Sequence, residues 1–443
     1  MTVAVQEAKA PSRASSKGTP LNLPTGLVLE DSIEGRNIER FLVKDGVLCR
    51  KVLRRNGRWS RVAMAKQTTL GNGDVTPSDA EQDLMQSSER PNWSKGRGAT
   101  VIDLFSGCGG LSVGVGEALV AVGRTPSFLA FDMDEAALNA YANNLPRAET
   151  FAGDIEHRID GVIGRRATRN ERAFLRLVPN CDVLVAGPPC QGHSAANNRT
   201  RHRDVRNQLY LKAVRAAELL EPEHVIIENV PGAINDRGGV VDRAQEELQG
   251  LGYCVDLGVV DASVLGVPQR RRRLVLLASR VTAPSVDRML DDHALEGPHT
   301  VRWAFEDLRE IEPRSLFDQP ARSAPQTLER IDVLFNHDLY ELPDQFRPPC
   351  HADGGHSYVS IYGRLRWDEP AQTLTTGFYS MCMGRNVHPS CRRTITAHEA
   401  ARIQGFPDWF SFDDVTKRVE LSRMIGNAVP PRLGYVAALE LSR

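Results

Sequence analysis

The sequence predicts an α/β protein built around a parallel sheet, with a smaller second domain toward the C-terminus. Short apolar runs alternate with helical patterns between residues 98 and 280, which is typical of βαβ units. A glycine-rich turn follows the first of these runs, as it does in nucleoside-binding sheets. Between residues 281 and 390 the alternation stops, and Pro, Arg, His and Asp become frequent.

The first 97 residues precede the alternating region and are mildly basic, with 16 Lys or Arg against 11 Asp or Glu. We predict a disordered tail over 1–26, a small basic β-rich module over 27–66 and a linker over 67–97. Asp45-Gly46 and Asn56-Gly57 are the hairpin signals of the module. Its run RKVLRRNGRWSR (50–61) indicates either extra nucleic-acid contacts or an accessory packing role.

The strands of the alternating region are predicted from the runs ATVIDLF, PSFLAFDMD, CDVLVAG, EHVIIEN and RLVLLAS. Helices are predicted for LSVGVGEALVAVG, EAALNAYANNL and LYLKAVRAAELLEP. Residues 98–280 therefore form the main domain, where a cofactor and catalytic groups are expected. Residues 391–443 return to this domain, because TAHEAARIQGFPDWF and the last 21 or so residues again have helical patterns.

Composition excludes several classes of protein. No apolar run reaches the roughly 20 residues that span a bilayer, and the N-terminus lacks the apolar region of a secretory signal. The eight cysteines are scattered without a CxxC pair, which favours a reducing compartment over a disulfide framework. Cys382, His388 and Cys391 fit no standard zinc spacing, so no metal is expected.

The glycine-rich turn DLFSGCGGLSVG (103–114) lies at the carboxyl end of the first predicted strand. Asp132 follows Gly107 by 25 residues, at the end of the second strand, where a carboxylate can accept hydrogen bonds from ribose hydroxyls. The third glycine of a dinucleotide fingerprint would fall at Ser112, so a cofactor without a pyrophosphate fits better. S-adenosyl-L-methionine is such a cofactor, and Asp154 could accept a hydrogen bond from its adenine.

Three reactive side-chain types are predicted at the same edge of the sheet. Cys190 follows the strand CDVLVAG behind two prolines that fix the backbone. Glu228 ends an otherwise apolar strand, where a carboxylate is costly without a partner. Alternation along QRRRR (269–273) would point Arg271 and Arg273 to one side. A thiol, a carboxylate and a guanidinium would then meet beside the cofactor.

With these residues in this order, the chain resembles the cytosine-C5 DNA methyltransferases. The resemblance is carried, in the family's order, by DLFSGCGGLSVG, the Asp132 segment, GDI, GPPCQGHS, ENV, QRRRR, RTITAHEAARIQGFPD and IGNAVPP. It covers about residues 99–280 and 392–441. It implies a Rossmann-like S-adenosylmethionine-dependent methyltransferase fold, with residues 281–390 as a target-recognition domain.

The resemblance also implies roles for individual residues. Cys190 resembles the nucleophile that attacks cytosine C6, Glu228 the acid that engages N3, and Arg273 the arginine that binds the base carbonyl, with Arg271 as its companion. The expected cofactor contacts are Phe105, Gly107, Gly109, Gly110, Asp132, Met133, Asp154, Ile155, Pro189 and Asn427. The expected DNA contacts are Gln191, Ser194, Arg199, Arg201, Arg203, Arg364 and Arg366, the last two as readers of base edges.

The sequence departs from the family pattern at four positions. His193 stands where the family usually has Phe, Asp132 where it has Glu, His398 where it has Arg, and Ala428 where it often has Ser. None of these removes a catalytic group, although the shorter Asp132 could alter cofactor affinity.

The expected partner is double-stranded DNA, bound with the target base flipped out of the helix. A cognate restriction endonuclease acting on the same site is a candidate partner. We expect a cytoplasmic, nucleoid-associated monomer without membrane contact. Three alternatives stay open from the residues alone: an RNA cytosine-C5 methyltransferase, a non-catalytic DNA-binding relative and a dinucleotide oxidoreductase.

Overall fold

A computed structural model describes residues 38–64, 68–94, 96–189, 208–236, 238–349, 351–352 and 361–443. Within these ranges no helix is long and apolar enough to cross a membrane.

A four-stranded antiparallel sheet with one helix forms the N-terminal part. Its elements are β1 (Glu39–Lys44), β2 (Val47–Leu53), β3 (Trp59–Ala63), β4 (Gly73–Val75) and α1 (Pro77–Gln86), with strand order β3-β2-β1-β4. The β1–β2 turn has positive φ at both Asp45 and Gly46 (54° and 72°), as the Asp-Gly signal predicts. The predicted hairpins are therefore present.

The segment 67–97, predicted to be a linker, instead contains β4 and α1. Thr76 caps the helix by accepting a hydrogen bond from the Asp79 amide, and Pro77 occupies its first turn. Ala80 is buried in a small core with Phe41. The segment was misjudged because its few apolar residues are spaced among polar ones, and only their contacts with β1 make them a core.

A seven-stranded sheet organises the main domain. Its elements in chain order are β5 (Arg97–Leu104), α2 (Gly110–Ala121), β6 (Arg124–Asp132), α3 (Glu135–Asn144), β7 (Ala148–Ala152), α4 (Arg169–Leu177), β8 (Val183–Ala186), α5 (Leu209–Leu220), β9 (His224–Asn229), α6 (Val240–Gly250), β10 (Cys254–Asp261), a short β11 (Gln269–Arg270) and β12 (Arg272–Ser279). The strand order is β10-β12-β9-β8-β5-β6-β7.

All strands of this sheet are parallel except β12, which runs antiparallel to β9 and β10. The carboxyl ends of β5 to β9 therefore share one edge with the amino end of β12. Successive side chains alternate between two cores, so that Val183 and Val185 face one layer of helices and Leu184 and Ala186 face the other. The predicted α/β class is confirmed.

The remaining elements are α7 (Val286–His293), α8 (Val301–Phe305), α9 (Pro325–Asn336), β13 (Ala371–Gln372), α10 (Ala397–Gln404), α11 (Arg418–Asn427) and α12 (Pro431–Ser442). Met289, Phe305 and Phe378 belong to the core of the main domain, whereas Ile331 and Tyr362 belong to a small separate core. The expected domain over 281–390 thus has its own core only in its middle part.

Glycines set the close crossing of α2 and α12. A Cβ at Gly114 would lie 1.8 Å from the Pro431 carbonyl oxygen, and one at Gly434 would lie 2.4 Å from the Leu111 carbonyl oxygen. No side chain fits at either contact. The crossing fixes the C-terminal helix under the glycine-rich turn, where it supports the edge that carries the site.

Candidate active site

The turn after β5 has a backbone suited to close approach by a ligand. Phe105 has φ of 59° and Gly107 has φ of 52°, and a left-handed conformation is uncommon for a residue such as Phe105. A Cβ at Gly107 would meet no atom within 4 Å. The space above the turn is therefore open at the position where the sequence predicts a cofactor.

The next two glycines serve packing. Gly109 has φ of 96°, and a Cβ there would lie 2.7 Å from the Tyr141 ring. A Cβ at Gly110 would lie 2.3 Å from the Val429 carbonyl oxygen. Gly110, expected to contact the cofactor, is buried beneath the IGNAVPP loop. The close approach of that loop to the turn explains why glycine is required at this position.

Asp132 ends β6 beside the turn. Its carboxylate accepts hydrogen bonds from the Gly107 amide at 2.8 Å and from the Asp134 amide at 2.9 Å. Met133, directly after it, is 73% exposed, which is unusual for so large an apolar side chain. The carboxylate and the exposed thioether stand at the edge where the sequence predicts a nucleoside cofactor.

Other predicted cofactor residues lie at the same edge or close to it. Asp154 follows β7 and accepts a hydrogen bond from the Glu156 amide at 2.9 Å, while Ile155 is buried. Pro189 follows β8 and is half-buried. Asn427 ends α11 and is exposed. Polar groups able to meet a nucleoside thus come from three strand ends and one helix end.

Glu228 and Arg273 form an ion pair at this edge, with 2.6 Å between Arg273 Nε and Glu228 Oε1. Both side chains are about nine-tenths buried, at 10% and 12% exposure. Glu228 Oε1 has no hydrogen bond of good geometry within the described part of the chain. Arg273 Nη1 donates to the Arg272 carbonyl oxygen at 2.7 Å. This buried oxygen retains the capacity to accept a proton from a ligand.

Two backbone positions bring the segment that follows β8 close to that pair. A Cβ at Gly187 would lie 3.9 Å from Glu228 Oε2 and 3.9 Å from the Phe105 carbonyl oxygen. The Asn229 side-chain amide donates to the Pro188 carbonyl oxygen at 3.4 Å. The GPP segment that immediately precedes Cys190 therefore lies between the glycine-rich turn and Glu228.

Arg271 does not accompany Arg273, contrary to the expectation from alternation. β11 ends at Arg270 and β12 begins at Arg272, so the regular alternation is broken at Arg271. Its buried guanidinium donates to the carbonyl oxygens of Leu374, Gly426 and Ala428 at 3.0 to 3.2 Å. Arg271 thus ties together the loops that flank the site.

A buried network that the sequence reasoning missed lies under the glycine-rich turn. Ser112 donates to Asp103 at 2.6 Å and accepts from the Tyr141 hydroxyl at 2.8 Å. Burial raises the pKa of Asp103 to about 8. The hydrogen bond from Ser112 lowers this pKa and the negative charge of Asp132 raises it, but burial has the largest effect. The polar residues within the segment DLFSGCGGLS are the feature of the sequence from which this network could have been predicted. Asp103 therefore braces the turn from below in its neutral form.

Tyr210 is a second residue that sequence reasoning missed. It is the second residue of α5, and its side chain is buried. Burial and the negative charge of Glu228 raise the pKa of Tyr210. The tyrosine is neutral at physiological pH and belongs to the wall of the site.

Several predicted site residues lie outside the described residues. They are Cys190, Gln191, Ser194, Arg199, Arg201 and Arg203. The departure noted at His193 falls in the same segment.

The two arginines predicted to read DNA bases differ in exposure. Arg364 is 5% exposed, pairs with Asp338 at 2.8 Å and lies over the rings of Phe335 and Tyr340. A buried guanidinium held in this way stabilises its loop, so the structure does not place it for reading bases. Arg366 is 46% exposed, lies 3.5 Å from Glu369 and stacks over the Tyr340 ring, so its guanidinium is partly accessible.

Arginines of the N-terminal run 50–61 largely face the main domain. Arg50 is 4% exposed and pairs with Glu39 at 2.9 Å, while Arg54 donates to the Val122 carbonyl oxygen and Arg55 to that of Glu440. Arg58 is exposed. Of the two roles considered for this run, packing is the one that these contacts support.

The described part of the chain holds no group of three side chains suited to bind a metal. His388 is fully buried, and its Nδ1 accepts hydrogen bonds from the Ser390 and Cys391 amides at 3.0 and 2.9 Å. Burial lowers its pKa to about 4. The histidine is therefore a neutral structural residue.

Comparison with known proteins identifies one family. The model of the C-5 cytosine-specific DNA methylase family matches residues 99–443, more than three quarters of the chain. Type II methyltransferase M1.BsuMI of Bacillus subtilis is 40% identical over 416 residues, covering 93% of this chain and 97% of that protein. Type II methylase M.HgiDII of Herpetosiphon aurantiacus is 33% identical over 356 residues, covering 77% and 95%.

The two relatives match different shares of this chain, 93% and 77%, and the difference concerns the N-terminal part. A match over 93% of the chain cannot fit within residues 99–443, so the likeness to M1.BsuMI extends into the region before residue 99. A match over 77% fits within the family region alone.

Solved structures agree on the fold. A prophage-encoded protein of E. coli, assigned as a DNA modification methyltransferase, has a TM-score of 0.54 and 27% identity, covering 77% of this chain and 98% of its own. The S. pombe Dnmt2 methyltransferase has a TM-score of 0.54 at 20% identity, with 77% and 98% coverage, and supports the fold alone.

Proposed function

The chain belongs to the C-5 cytosine-specific DNA methylase family, and from that premise we propose that the edge carrying Glu228 and Arg273 is its active site. The observation that supports this most directly is the buried ion pair between these two residues beside an open glycine-rich turn. A carboxyl group with an oxygen that has no hydrogen-bond partner among the described residues suits a cytosine, whose 4-amino group can donate to it and whose N3 can take a proton from it.

S-adenosyl-L-methionine is the proposed cofactor, and it would supply the methyl group as an electrophilic sulfonium. The residues at hand fit such a molecule. The open turn at Phe105 and Gly107 would admit it, Asp132 would accept from its ribose, and Asp154 from its adenine. Met133 and Asn427 would flank it. A phosphate-free nucleoside needs none of the positive charge that a pyrophosphate demands.

Cys190 is the proposed nucleophile. Its thiolate would add to C6 of the target cytosine while Glu228 holds a proton at N3, which makes C5 electron-rich enough to accept a methyl group. A water molecule would then take the C5 proton, the thiolate would leave C6 to restore the aromatic ring, and N3 would return its proton to Glu228. Cys108, also near the turn, is unsuited to this role because burial raises its pKa to about 12.

Arg273 would hold Glu228 and the base carbonyl, and Arg271 would act as a positioning residue through the loops that it joins. The substrate would be duplex DNA, with the target base flipped from the stack and Arg366 among the groups that recognise the sequence. We further propose a nucleoid-associated, cytoplasmic monomer, paired with a restriction endonuclease of the same specificity. Type II relatives support this pairing.

The test is methyl transfer by the purified full chain from tritiated cofactor to unmethylated duplex DNA and, separately, to tRNA. We expect label in DNA as 5-methylcytosine, with its sites located by bisulfite sequencing. Cys190→Ser should abolish transfer, while Cys254→Ser, a matched change at a half-buried cysteine, should not. Transfer to tRNA alone, or an unchanged rate in Cys190→Ser, would refute the proposal.

A further inference from the structure

An exposed arginine face lies on α4 and on the loop before it. Its members are Arg165, Arg166, Arg169, Arg172 and Arg176, all exposed. With 3.6 residues per turn, the last three lie within about 60° of one another around the helix and span about 10 Å along it. They form one continuous positive stripe.

None of these arginines has an ion-pair partner within the described residues; only Arg172 has a side-chain hydrogen bond, to the Ala167 carbonyl at 2.6 Å. Other surface arginines are paired, for example Arg392 with Asp332 at 2.6 Å and Arg423 with Asp134 at 2.7 Å. Unpaired like charges three and four residues apart destabilise a helix. The stripe therefore costs stability that its own surroundings do not recover.

The carboxylates nearest to the arginine face in sequence are already engaged. Asp160 accepts hydrogen bonds from the Thr168 hydroxyl and from Asn170 at 2.8 Å. Both oxygens of Glu171 accept from Arg215, at 2.8 and 2.7 Å. Neither acid is placed to neutralise the stripe, so its charge faces solvent.

The stripe stands on a rigid support. Thr168 and Glu171 form a capping box at the start of α4, and the buried Glu171–Arg215 pair joins α4 to α5. Lys212 of α5 also donates to the Ile159 carbonyl oxygen at 2.8 Å. The arginines are thus presented by a fixed helix and not by a free loop.

The stripe begins at the edge that carries the active site. β7 and β8 run parallel to their neighbouring strands β6 and β5. The segment after β7, which leads to α4, and the segment after β8, which leads toward α5, therefore both leave the sheet at its carboxyl edge. Glu228 and Arg273 lie at that edge.

We propose that the arginine face of α4 binds the phosphate backbone of substrate DNA, as a contact track on the main domain separate from the target-recognition region. This rests on the proposed function in that the DNA is the duplex being methylated. Exposed, unpaired guanidiniums on a rigid helix fit phosphate oxygens through paired hydrogen bonds. Such contacts raise affinity for any sequence and leave target choice to other residues.

The test compares two triple variants of the full chain. Arg169→Gln/Arg172→Gln/Arg176→Gln removes three charges from the stripe. Lys44→Gln/Arg58→Gln/Arg97→Gln removes three exposed charges at the N-terminal sheet and at the opposite edge of the main sheet. Binding to a random-sequence DNA duplex is measured between about 50 and 200 mM salt, the range in which counterion release is resolved.

For the stripe variant we expect the slope of log affinity against log salt to fall by about 2 to 3, since each phosphate contact contributes about 0.9. Methyl transfer at saturating DNA should keep the wild-type rate, and the control triple should keep the wild-type slope. Equal slopes for the stripe variant and wild type, or equal losses in both triples, would overturn the proposal. An inactive wild-type protein would instead refute the proposed function, while the slopes still report on the stripe.

Discussion

At the scale of single residues, the pairing of Glu228 with Arg273 determines what the carboxyl group can do. The guanidinium of Arg273, with its Nε 2.6 Å from Glu228 Oε1, holds the carboxyl group in place. A bound cytosine would bring its N3 to the same oxygen, where the carboxylate can hold a proton between itself and the base. Arg273 therefore sets the orientation of Glu228 before any substrate arrives.

Glu228→Gln keeps the shape of the side chain and removes its ability to exchange a proton. We expect kcat to fall about 10²- to 10⁴-fold, the range for loss of one general acid. The KM for S-adenosylmethionine should change little, because the residue faces the base. Single-turnover methylation of duplex DNA measures this effect. A rate within twofold of wild type would show that Glu228 does not act on the base.

Arg271 and Arg273 should fail in different ways when each is changed to Lys. Arg273→Lys should lower kcat with little loss of melting temperature, because the residue meets Glu228 at the surface of the site. Arg271→Lys loses a planar fork that reaches three carbonyl oxygens, so it should lower the melting temperature and raise the KM for the cofactor. Calorimetry beside steady-state kinetics separates the two. Identical effects would contradict the assignment of Arg271 as a positioning residue.

Sequence alone places these arginines close together but cannot separate their roles. The prediction that Arg271 and Arg273 face one side assumes an unbroken strand. The strand is broken at Arg271, and the residues just before it, β11, pair with β13, which lies about 100 residues later in the chain. Glu228 was predictable because an acid at the end of an apolar strand is rare without a partner. The packing role of Gly110 was not predictable, because its close neighbour, the Val429 carbonyl oxygen, lies far away in the chain.

At the scale of elements, His398 joins α10 to the segment before α9. Its Nδ1 lies 2.9 Å from Asp318 and its Nε2 lies 3.0 Å from Asp408, and its ring stacks on Phe317. Two carboxylates at both ring nitrogens require two N–H donors, which only the protonated imidazole has. The histidine that replaces the family's usual arginine thus still serves as a cation.

The stability of this junction should depend on pH. Burial and the positive charge of Arg402 lower the pKa of His398. The hydrogen bond and negative charge of Asp408, with the hydrogen bond to Asp318, outweigh them and raise the pKa above its usual value. The folded state therefore binds the proton more tightly than the unfolded chain. The stabilisation is fully present below the ordinary histidine pKa of about 6.5 and is lost as pH rises through the higher folded value.

His398→Gln removes the titrating group and keeps one hydrogen-bond donor. We expect the wild type to be more stable than this variant at pH 6, with the difference shrinking as pH rises to 9. Denaturant unfolding across that range measures it. His337→Gln, a change at the C-cap of α9 that has no ion pair among the described residues, is the control. A difference independent of pH would show that His398 is neutral in the folded protein.

At the scale of the whole molecule, the N-terminal sheet is part of the methyltransferase body. Glu39 and Arg50 form a buried cluster with Glu117 of α2 and Tyr435 of α12, with Arg50 lying 4.4 Å from the tyrosine ring centroid. Trp93 packs against Phe128 of β6 at 6.0 Å. The likeness to M1.BsuMI, which extends beyond the family region, agrees with this integration.

Local patterns predicted the main sheet, its edge and the order of its helices, because each strand is an apolar run bounded by turn residues. They could not show that residues 38–94 dock on that sheet, because the docking contacts join residues such as Glu39 and Tyr435 across almost the whole chain. An arginine-rich run has the same sequence whether its charges face DNA or a buried glutamate. Arg50 illustrates this, since only the fold reveals its partner.

Arg50→Met and Arg58→Gln test whether the basic run supports the fold or binds DNA. Arg50→Met leaves Glu39 and Glu117 without their shared cation, and we expect a loss of about 3 kcal/mol in unfolding free energy, typical of a broken buried pair. Arg58→Gln changes an exposed side chain of the same run and should leave stability unchanged. Neither should alter DNA affinity measured below the melting transition, because neither arginine would face the duplex. Urea unfolding and duplex titration of both variants decide the matter: weaker DNA binding by folded Arg50→Met, without a loss of stability, would return this run to the DNA-binding surface.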